Sequence, residues 1–470
     1  MGSGRLIISA LRGGSGKTIV SVGVIAALVK KGIPVAPFKK GPDYIDAGWL
    51  AYAAGRLCYN LDTFIIPEDQ ILASFRQHTS SRTLAVIEGN RGLYDCINIE
   101  GNTSTAELAK LLEAPVILVL DCTKTTRTMA AVILGLQHFD SKVRIAGVVL
   151  NQTAGARHVQ ILTQSIEHHC GIPVLGALPK IKEEIFPERH MGLVPTPEHG
   201  WAADSIEKII RIAENHMDLD RMVELSEYRP SEHPEATEDD VHQRTEKTVT
   251  PEGSTAPVIG VIKDSSFQFY YPENLESLER EGAVIRFISP LNSSTIPKLD
   301  GLYIGGGFPE THADELARNT EFKSQLKTLA ETGLPIYAEC GGLMYLGEEL
   351  ILDGISYPMA GVLPIVFGFS KKPQGHGYTI VQVENDNPFY EKGLEFKGHE
   401  FHYSKVVKWG GTDADLVFHM ARGAGFINGR DGIRFKNVLA TYTHIHSLGL
   451  PQWAKAMVRN AAAYQQKQSP

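Results

Sequence analysis

The feature that most constrains this chain lies near its N-terminus. Arg12-Gly13-Gly14-Ser15-Gly16-Lys17-Thr18 follows the apolar run Leu6–Ser9. It opens a stretch, Thr18–Lys30, in which Ile19, Val22, Ile25 and Ala26 recur at helical spacing, with Leu28 nearby. A strand that turns through glycines into a helix aims several backbone N–H groups at one point. The helix N-terminus adds partial positive charge, so the unit is suited to phosphate oxygens. Lys17 would reach the outer phosphates and the Thr18 hydroxyl would ligate Mg²⁺. Leu11 stands where the strict P-loop pattern has its first glycine. The strand–loop–helix context and the Gly-Lys-Thr core still predict a P-loop.

A P-loop of this kind sits on a parallel sheet, and the first half of the chain reads accordingly. Leu84–Ile87, Val116–Leu120 and Ala146–Leu150 are short apolar runs, separated by helical patterns. Such runs fill parallel strands covered on both faces. Their alternation with helices predicts an α/β layer fold with right-handed crossovers.

Residues 226–256 break the pattern, with eight acidic and three basic residues and almost nothing apolar. Such a segment cannot bury enough surface to offset ordering entropy, and it reads as a linker. It contributes -5 of the chain's formal charge of -8. Alternation then resumes. Val258–Ile262, Ala283–Phe287, Gly301–Ile304, Leu334–Tyr337 and Leu439–Thr443 read as strands, and Leu275–Glu281, Glu321–Thr332 and Trp453–Gln465 as helices. At about 150 residues per domain, 470 residues suggest two or three domains. The expected division is 1–225, an acidic linker over 226–256, and 257–470.

A mildly acidic chain argues against a general nucleic-acid partner. No run of 18 apolar residues would span a membrane, and the N-terminal apolar stretch is too short and Gly-rich for a signal peptide. A cytoplasmic protein is the expectation. The five cysteines form no C-x-x-C pair, which argues against a zinc site or a disulfide framework.

The phosphate cradle needs acidic partners. Glu88 follows the run Leu84–Ile87, Asp95 lies seven residues on, and Asp43 and Asp46 follow another apolar run. Glu88, Asp43, Asp46 and Asp95 are candidates for Mg²⁺ or substrate handling. Lys39 and Lys40 either meet an anionic substrate or form a solvated loop face.

In the second half, Leu334–Tyr337 leads into Ala338-Glu339-Cys340-Gly341-Gly342. Small residues on either side of a nucleophile permit a sharp strand-to-helix elbow. A helix N-terminus would favour a Cys340 thiolate. The Gly341 N–H and a donor from Gly305-Gly306-Gly307 could receive an oxyanion. The base must come from elsewhere. The two choices are His444 with His446, after Leu439–Thr443, and the pair His399 and His402. Either pair could be satisfied surface histidines.

Taken together, these segments resemble the cobyrinic acid a,c-diamide synthase family across nearly the whole chain. The residues that carry the likeness are ALRGGSGKT, FKKGPDYID, IEGNRGLYD, VVLNQ, PERHMGLVP, FYYPENLE, LYIGGGFPE, YAECGGLMYLG, GHEFHYS and YTHIHS. The resemblance implies a dethiobiotin-synthetase-like P-loop domain joined to a triad-type class I glutamine amidotransferase domain of flavodoxin-like fold. It implies ATP- and Mg²⁺-dependent amidation of acetate side chains on an anionic tetrapyrrole, through an acyl phosphate, with ammonia from glutamine. Association as a homodimer is left open.

By the same resemblance, Cys340 is the glutaminase nucleophile and His444 its base, with Gly306 and Gly341 in the oxyanion hole. Gly14, Gly16, Lys17 and Thr18 match the ATP loop. Asp43, Asp46, Glu88 and Asp95 match metal and substrate positions, and Asn151 resembles a nucleotide-base contact. Many class I amidotransferases carry Glu two residues after the base; here that residue is His446, so a complete triad is not evident.

The chain also departs from the family. Ala10 replaces the glycine that commonly opens the loop, Asn90-Arg91 stands where apolar residues are common, and Cys96 replaces a glycine. Arg91 adds a donor fork suited to a carboxylate. EGNRGLYD and DCTKTTRT look more like a sirohaem-amidating branch, which stands slightly ahead of cobyrinate as the expected substrate type; nickel-sirohydrochlorin amidation is a lesser option. A rival from another class is a P-loop partitioning or regulatory ATPase. Arg12–Lys17 resembles its loop, but such a protein has no need of Cys340 and His444.

Overall fold

The computed structural model describes residues 4–181, 188–189, 192–193, 202–227 and 256–468. Residues 228–255, most of the acidic segment, lie outside the described residues, as does most of PERHMGLVP. The chain falls into two compact units, Met1–Glu235 and Ala236–Pro470.

The first unit is built on seven strands: β1 (Arg5–Ala10), β2 (Val35–Lys40), β3 (Tyr59–Leu61), β4 (Leu84–Glu88), β5 (Val116–Asp121), β6 (Ile145–Thr153) and β7 (Val174–Pro179). They lie in the order β3-β2-β4-β1-β5-β6-β7, and every recorded pairing is parallel. β2 and β4 are buried along their whole length. A sheet with helices on both faces explains why these segments read as continuous apolar runs rather than alternating ones.

Helix α1 (Lys17–Lys30) follows β1 across the loop at 11–16. Ten of its residues are buried, because the sheet covers one side and the helix Ala202–His216 packs on it. The β2, β4 and β1 strands are neighbours, so their carboxyl ends converge. Lys39 pairs in register with Glu88, and Glu88 with Ile8.

The second unit holds a nine-stranded sheet. Its strands are β8 (Val258–Ile262), β9 (Val284–Ile288), β10 (Gly301–Ile304), β11 (Ile336–Glu339), β12 (Gly375–Val383), β13 (Glu395–His402), β14 (Leu416–Arg422), β15 (Arg430–Phe435) and β16 (Val438–Thr441). The order is β9-β8-β10-β11-β16-β15-β14-β12-β13. The first five strands are parallel and follow the doubly wound order seen in flavodoxin-like sheets. All five match the apolar runs in the sequence to within two residues.

The other four strands extend that sheet in antiparallel fashion. A separate four-stranded sheet spans Glu349–Leu352, Ile355–Pro358, Ile365–Phe369 and Ser404–Trp409. Neither addition was expected from the sequence. The burial along β14 and β12 is only partly alternating, so period-2 patterning is weak there.

Candidate functional site

The first unit gathers the predicted phosphate loop and its carboxylates. Gly14 and Gly16 have φ of 73° and 88°, the left-handed region that glycine enters at no steric cost. A Cβ on Gly16 would lie 2.3 Å from Asn151 Nδ2, so that position also requires close approach. Asn151 Nδ2 donates to the Ser15 carbonyl at 2.9 Å, and its Oδ1 accepts the Gln152 N–H. Both ends of the amide are therefore engaged in bracing the loop.

Thr18 Oγ1 donates to Glu88 Oε1 at 3.0 Å. Lys39 Nζ lies 2.8 Å from the same oxygen and 2.7 Å from Asp46 Oδ2. Lys39 and Lys40 are buried, 2% and 4% exposed, which removes the solvated-face reading of both. Lys40 donates to the Thr103 carbonyl at 2.7 Å. Burial tends to neutralise the Lys39 ammonium, but Asp46 and Glu88 more than offset it and hold the charge. Burial pushes the Glu88 carboxyl up to about 7, against the pull of Lys39. Burial likewise moves Lys17 downward, with Glu88 opposing.

The second oxygen of Glu88 is buried with no hydrogen-bond partner among the described residues. A hard oxygen donor beside the Thr18 hydroxyl suits a divalent cation. Asp43 is not joined to that pair. It is exposed and accepts the Asp46 N–H at 2.8 Å, so it serves the start of helix α2 (Ile45–Ala54). Among the residues assigned to metal, Thr18 and Glu88 are joined by a hydrogen bond, while Asp43 neighbours the pair's partners Lys39 and Asp46.

Asp95 Oδ2 accepts the Gly92 N–H at 2.8 Å. Leu93 N–H donates to the Ala10 carbonyl, stitching this loop to β1. Arg91 is exposed at φ 50°. Its neighbour Asn90 packs where a Cβ on Gly41 would stand.

The second unit gathers Cys340, His444 and the glycine loop. Cys340 follows β11 and caps helix α3 (Gly341–Leu346) with φ 45° and ψ -96°. A non-glycine residue held there marks a constrained elbow. The Cys340 N–H donates to the Thr441 carbonyl at 2.8 Å, which ties the thiol to the strand leading into His444. The Gly306 position lies under that histidine: a Cβ there would stand 2.4 Å from His444 Cε1. A Cβ on Gly341 would meet the Gly307 nitrogen at 2.9 Å. These glycines are required by packing as well as suited to oxyanion donation.

The residue missed in the sequence is Glu339. Its Oε2 lies 3.0 Å from His444 Nδ1, and it is completely buried. The acid partner therefore precedes the thiol rather than following the histidine. His446 instead faces Glu273, with Nε2 3.6 Å from a carboxylate oxygen. A charged side chain closing the buried apolar strand Ile336–Glu339 was the available signal. His399 and His402 are 6% and 4% exposed, so neither is a surface histidine.

The Nδ1–H of His444 donates to Glu339, which leaves Nε2 as the basic atom. Burial pushes the Cys340 thiol well up, with Glu310 and Glu339 adding to it. The Gly341 N–H pulls the other way without offsetting burial. Cys340 Sγ lies 4.0 Å from the Phe401 carbonyl, and a thiol nucleophile needs a base to take its proton, a part suited to His444 Nε2. No helix among the described residues is long and apolar enough to cross a membrane.

Comparison with known proteins agrees with this division. Residues 6–194 match the CobQ/CobB/MinD/ParA nucleotide binding domain, and residues 258–450 the CobB/CobQ-like glutamine amidotransferase domain. The chain is 43% identical to a cobyrinate a,c-diamide synthase of Magnetococcus marinus, over 97% of this chain and 96% of that one. It is 40% identical to one from Dehalococcoides mccartyi, over 97% of each. Identity to that of Archaeoglobus fulgidus is 36%, again over 97% of each. The chain is thus a glutamine-dependent ligase of α/β fold with a nucleotide-binding domain, and it belongs to the cobyrinate a,c-diamide synthase family.

Proposed function

We propose that this protein uses ATP to activate acetate carboxylates of an anionic tetrapyrrole and amidates them with ammonia released from glutamine. A carboxylate is a poor electrophile, and an acyl phosphate supplies a leaving group. The P-loop glycines and Lys17 bind the ATP phosphates. Thr18 and Glu88 would hold Mg²⁺, which neutralises phosphate charge during transfer. Asp46, Lys39 and Asp95 line the same strand ends, and Arg91 offers a donor fork to a substrate carboxylate. Asp43 acts through the start of helix α2.

In the glutaminase unit, Cys340 Sγ attacks the amide carbon and its proton passes to His444 Nε2. Glu339 stabilises the imidazolium. The oxyanion takes donors from Gly341 and the Gly305-Gly306-Gly307 segment. His444 returns the proton to the departing nitrogen, and water then hydrolyses the thioester. The observation that carries this reading is the buried Glu339–His444 pair beside the Cys340 elbow.

Cobyrinate is the first substrate reading, because it is the substrate in the relatives' name. Sirohaem is the second, favoured by Asn90-Arg91 in the loop after Glu88. The test supplies ATP, Mg²⁺, glutamine and each tetrapyrrole in turn and measures product mass. Each amidation lowers mass by about one unit, so the same spectrum counts the carboxylates that react. Product from neither substrate contradicts the proposal.

A further inference from the structure

His399 stands against His444 in two independent ways. Their backbones exchange both hydrogen bonds of an antiparallel bridge, His399 N–H to the His444 carbonyl at 3.2 Å and the reverse at 2.8 Å. Their rings also stack, with centroids 4.9 Å apart and planes 23° from parallel. The bridge places the two Cα atoms opposite each other, and the stack then fixes the imidazole plane. Glu339 fixes the same ring at its edge through Nδ1. A ring held at one edge alone can still swing about that hydrogen bond; a ring held at an edge and a face cannot.

The groups around His399 are consistent with a flat, uncharged neighbour. Tyr271 Oη lies 3.5 Å from its Nδ1, and Tyr378 is its register partner across β12 and β13. The titratable groups that face it include His444, His446 and Tyr271, with Tyr378 opposite it in register. Glu339 and Glu273 lie one step further, each on one of those histidines. Burial first, then the two histidines, keep His399 neutral well below the ordinary imidazole range. A protonated His399 would repel the imidazolium that His444 must become. The His446–Glu273 pair sits on the other side of Tyr271, whose ring lies 4.5 Å from that of His446.

We propose that His399 is a positioning residue for glutamine hydrolysis, whose stacked ring and backbone bridge hold the His444 imidazole in the plane that aims Nε2 at Cys340. It acts through His444. The inference rests on His444 being the base.

The test compares full-length wild type, His399→Phe and His399→Ala. For each, kcat and KM for glutamine hydrolysis are measured from about pH 6 to 9, along with amidation supplied by ammonium. His399→Phe keeps a flat face and should retain kcat within about threefold, with the acid limb of kcat/KM in place. His399→Ala should lose about tenfold or more in kcat while KM moves less than about twofold. Ammonia-dependent amidation should be unchanged in both. Wild-type kcat in His399→Ala, equal loss in Phe and Ala, or parallel loss of the ammonia reaction would each overturn the inference. Full glutaminase activity in Cys340→Ala would instead overturn the glutaminase assignment beneath it.

Discussion

Glu339 and His444 lie 105 residues apart in the chain, yet a carboxylate oxygen of one sits 3.0 Å from Nδ1 of the other. Glu339 ends β11, and the next residue is Cys340. One short stretch of strand thus delivers the thiol and the acid to the same histidine. Tyr303 Oη donates to the second Glu339 oxygen at 3.3 Å, so the carboxylate is oriented from both sides. Replacing it by Gln keeps the shape but removes the charge that balances an imidazolium. Glu339→Gln should lower glutaminase kcat by at least about tenfold, as triad acids commonly do. Amidation driven by ammonium should be retained. Steady-state assays with the two nitrogen donors check this.

Gly306 lies where a side chain would displace the base. A Cβ there would come within 2.4 Å of His444 Cε1, so the ring must shift to make room. Gly306→Ala should reduce glutaminase about a hundredfold, because misplacing a catalytic group by about 1 Å has that scale of effect. Thermal unfolding of the variant should change little by comparison, which a melting curve beside the rate measurement will show.

Lys39 is buried between Asp46 and Glu88. Lys39→Met leaves two carboxylates without their cation, and removing one partner of a buried pair costs about 3–5 kcal/mol. A ligand that binds only the folded state restores stability by mass action. Added Mg²⁺ should therefore raise the Tm of Lys39→Met more than that of wild type. Absence of a Tm shift with Mg²⁺ in both proteins would contradict a cation site at Glu88 and Thr18.

Cysteine labelling gives a pH prediction. The reactive form is the thiolate. Burial raises Cys340 above its ordinary 9.0, so thiolate at Cys340 is scarce near neutrality and grows only as pH rises past that value. Cys96 moves the other way: burial raises it, but hydrogen bonds with Thr103 and nearby backbone N–H groups outweigh that. Without glutamine, iodoacetamide near neutral pH should label Cys96 ahead of Cys340, and Cys340 should gain as pH increases. Peptide mass mapping across the pH series reads both sites.

The sequence carried the parallel cores and the phosphate loop because their signals are local. Apolar runs such as Val116–Leu120 mark strands buried on both faces, and Gly14, Gly16, Lys17 and Thr18 sit within one turn. Glu339 was obscured because its partner is 105 residues away and the expected position, two residues after His444, holds a histidine. The burial of Lys39 and Lys40 was equally hidden, since only the pairing of β2 with β4 puts Lys39 against Glu88. Asn151 and Asp43 read as ligand contacts from motif position; their contacts with Ser15 and with the start of a helix form only in the folded chain. The antiparallel strands from 375 to 435 gave weak patterning because most of them expose residues unevenly.

The central claim is that ammonia is made at Cys340 and used by a separate ATP-dependent site. Cys340→Ala tests it most directly, with amidated tetrapyrrole measured by mass using first glutamine and then ammonium as the nitrogen source. The account predicts no product above background with glutamine and product near the wild-type rate with ammonium. Equal loss with both donors, or unchanged product with glutamine, would contradict it.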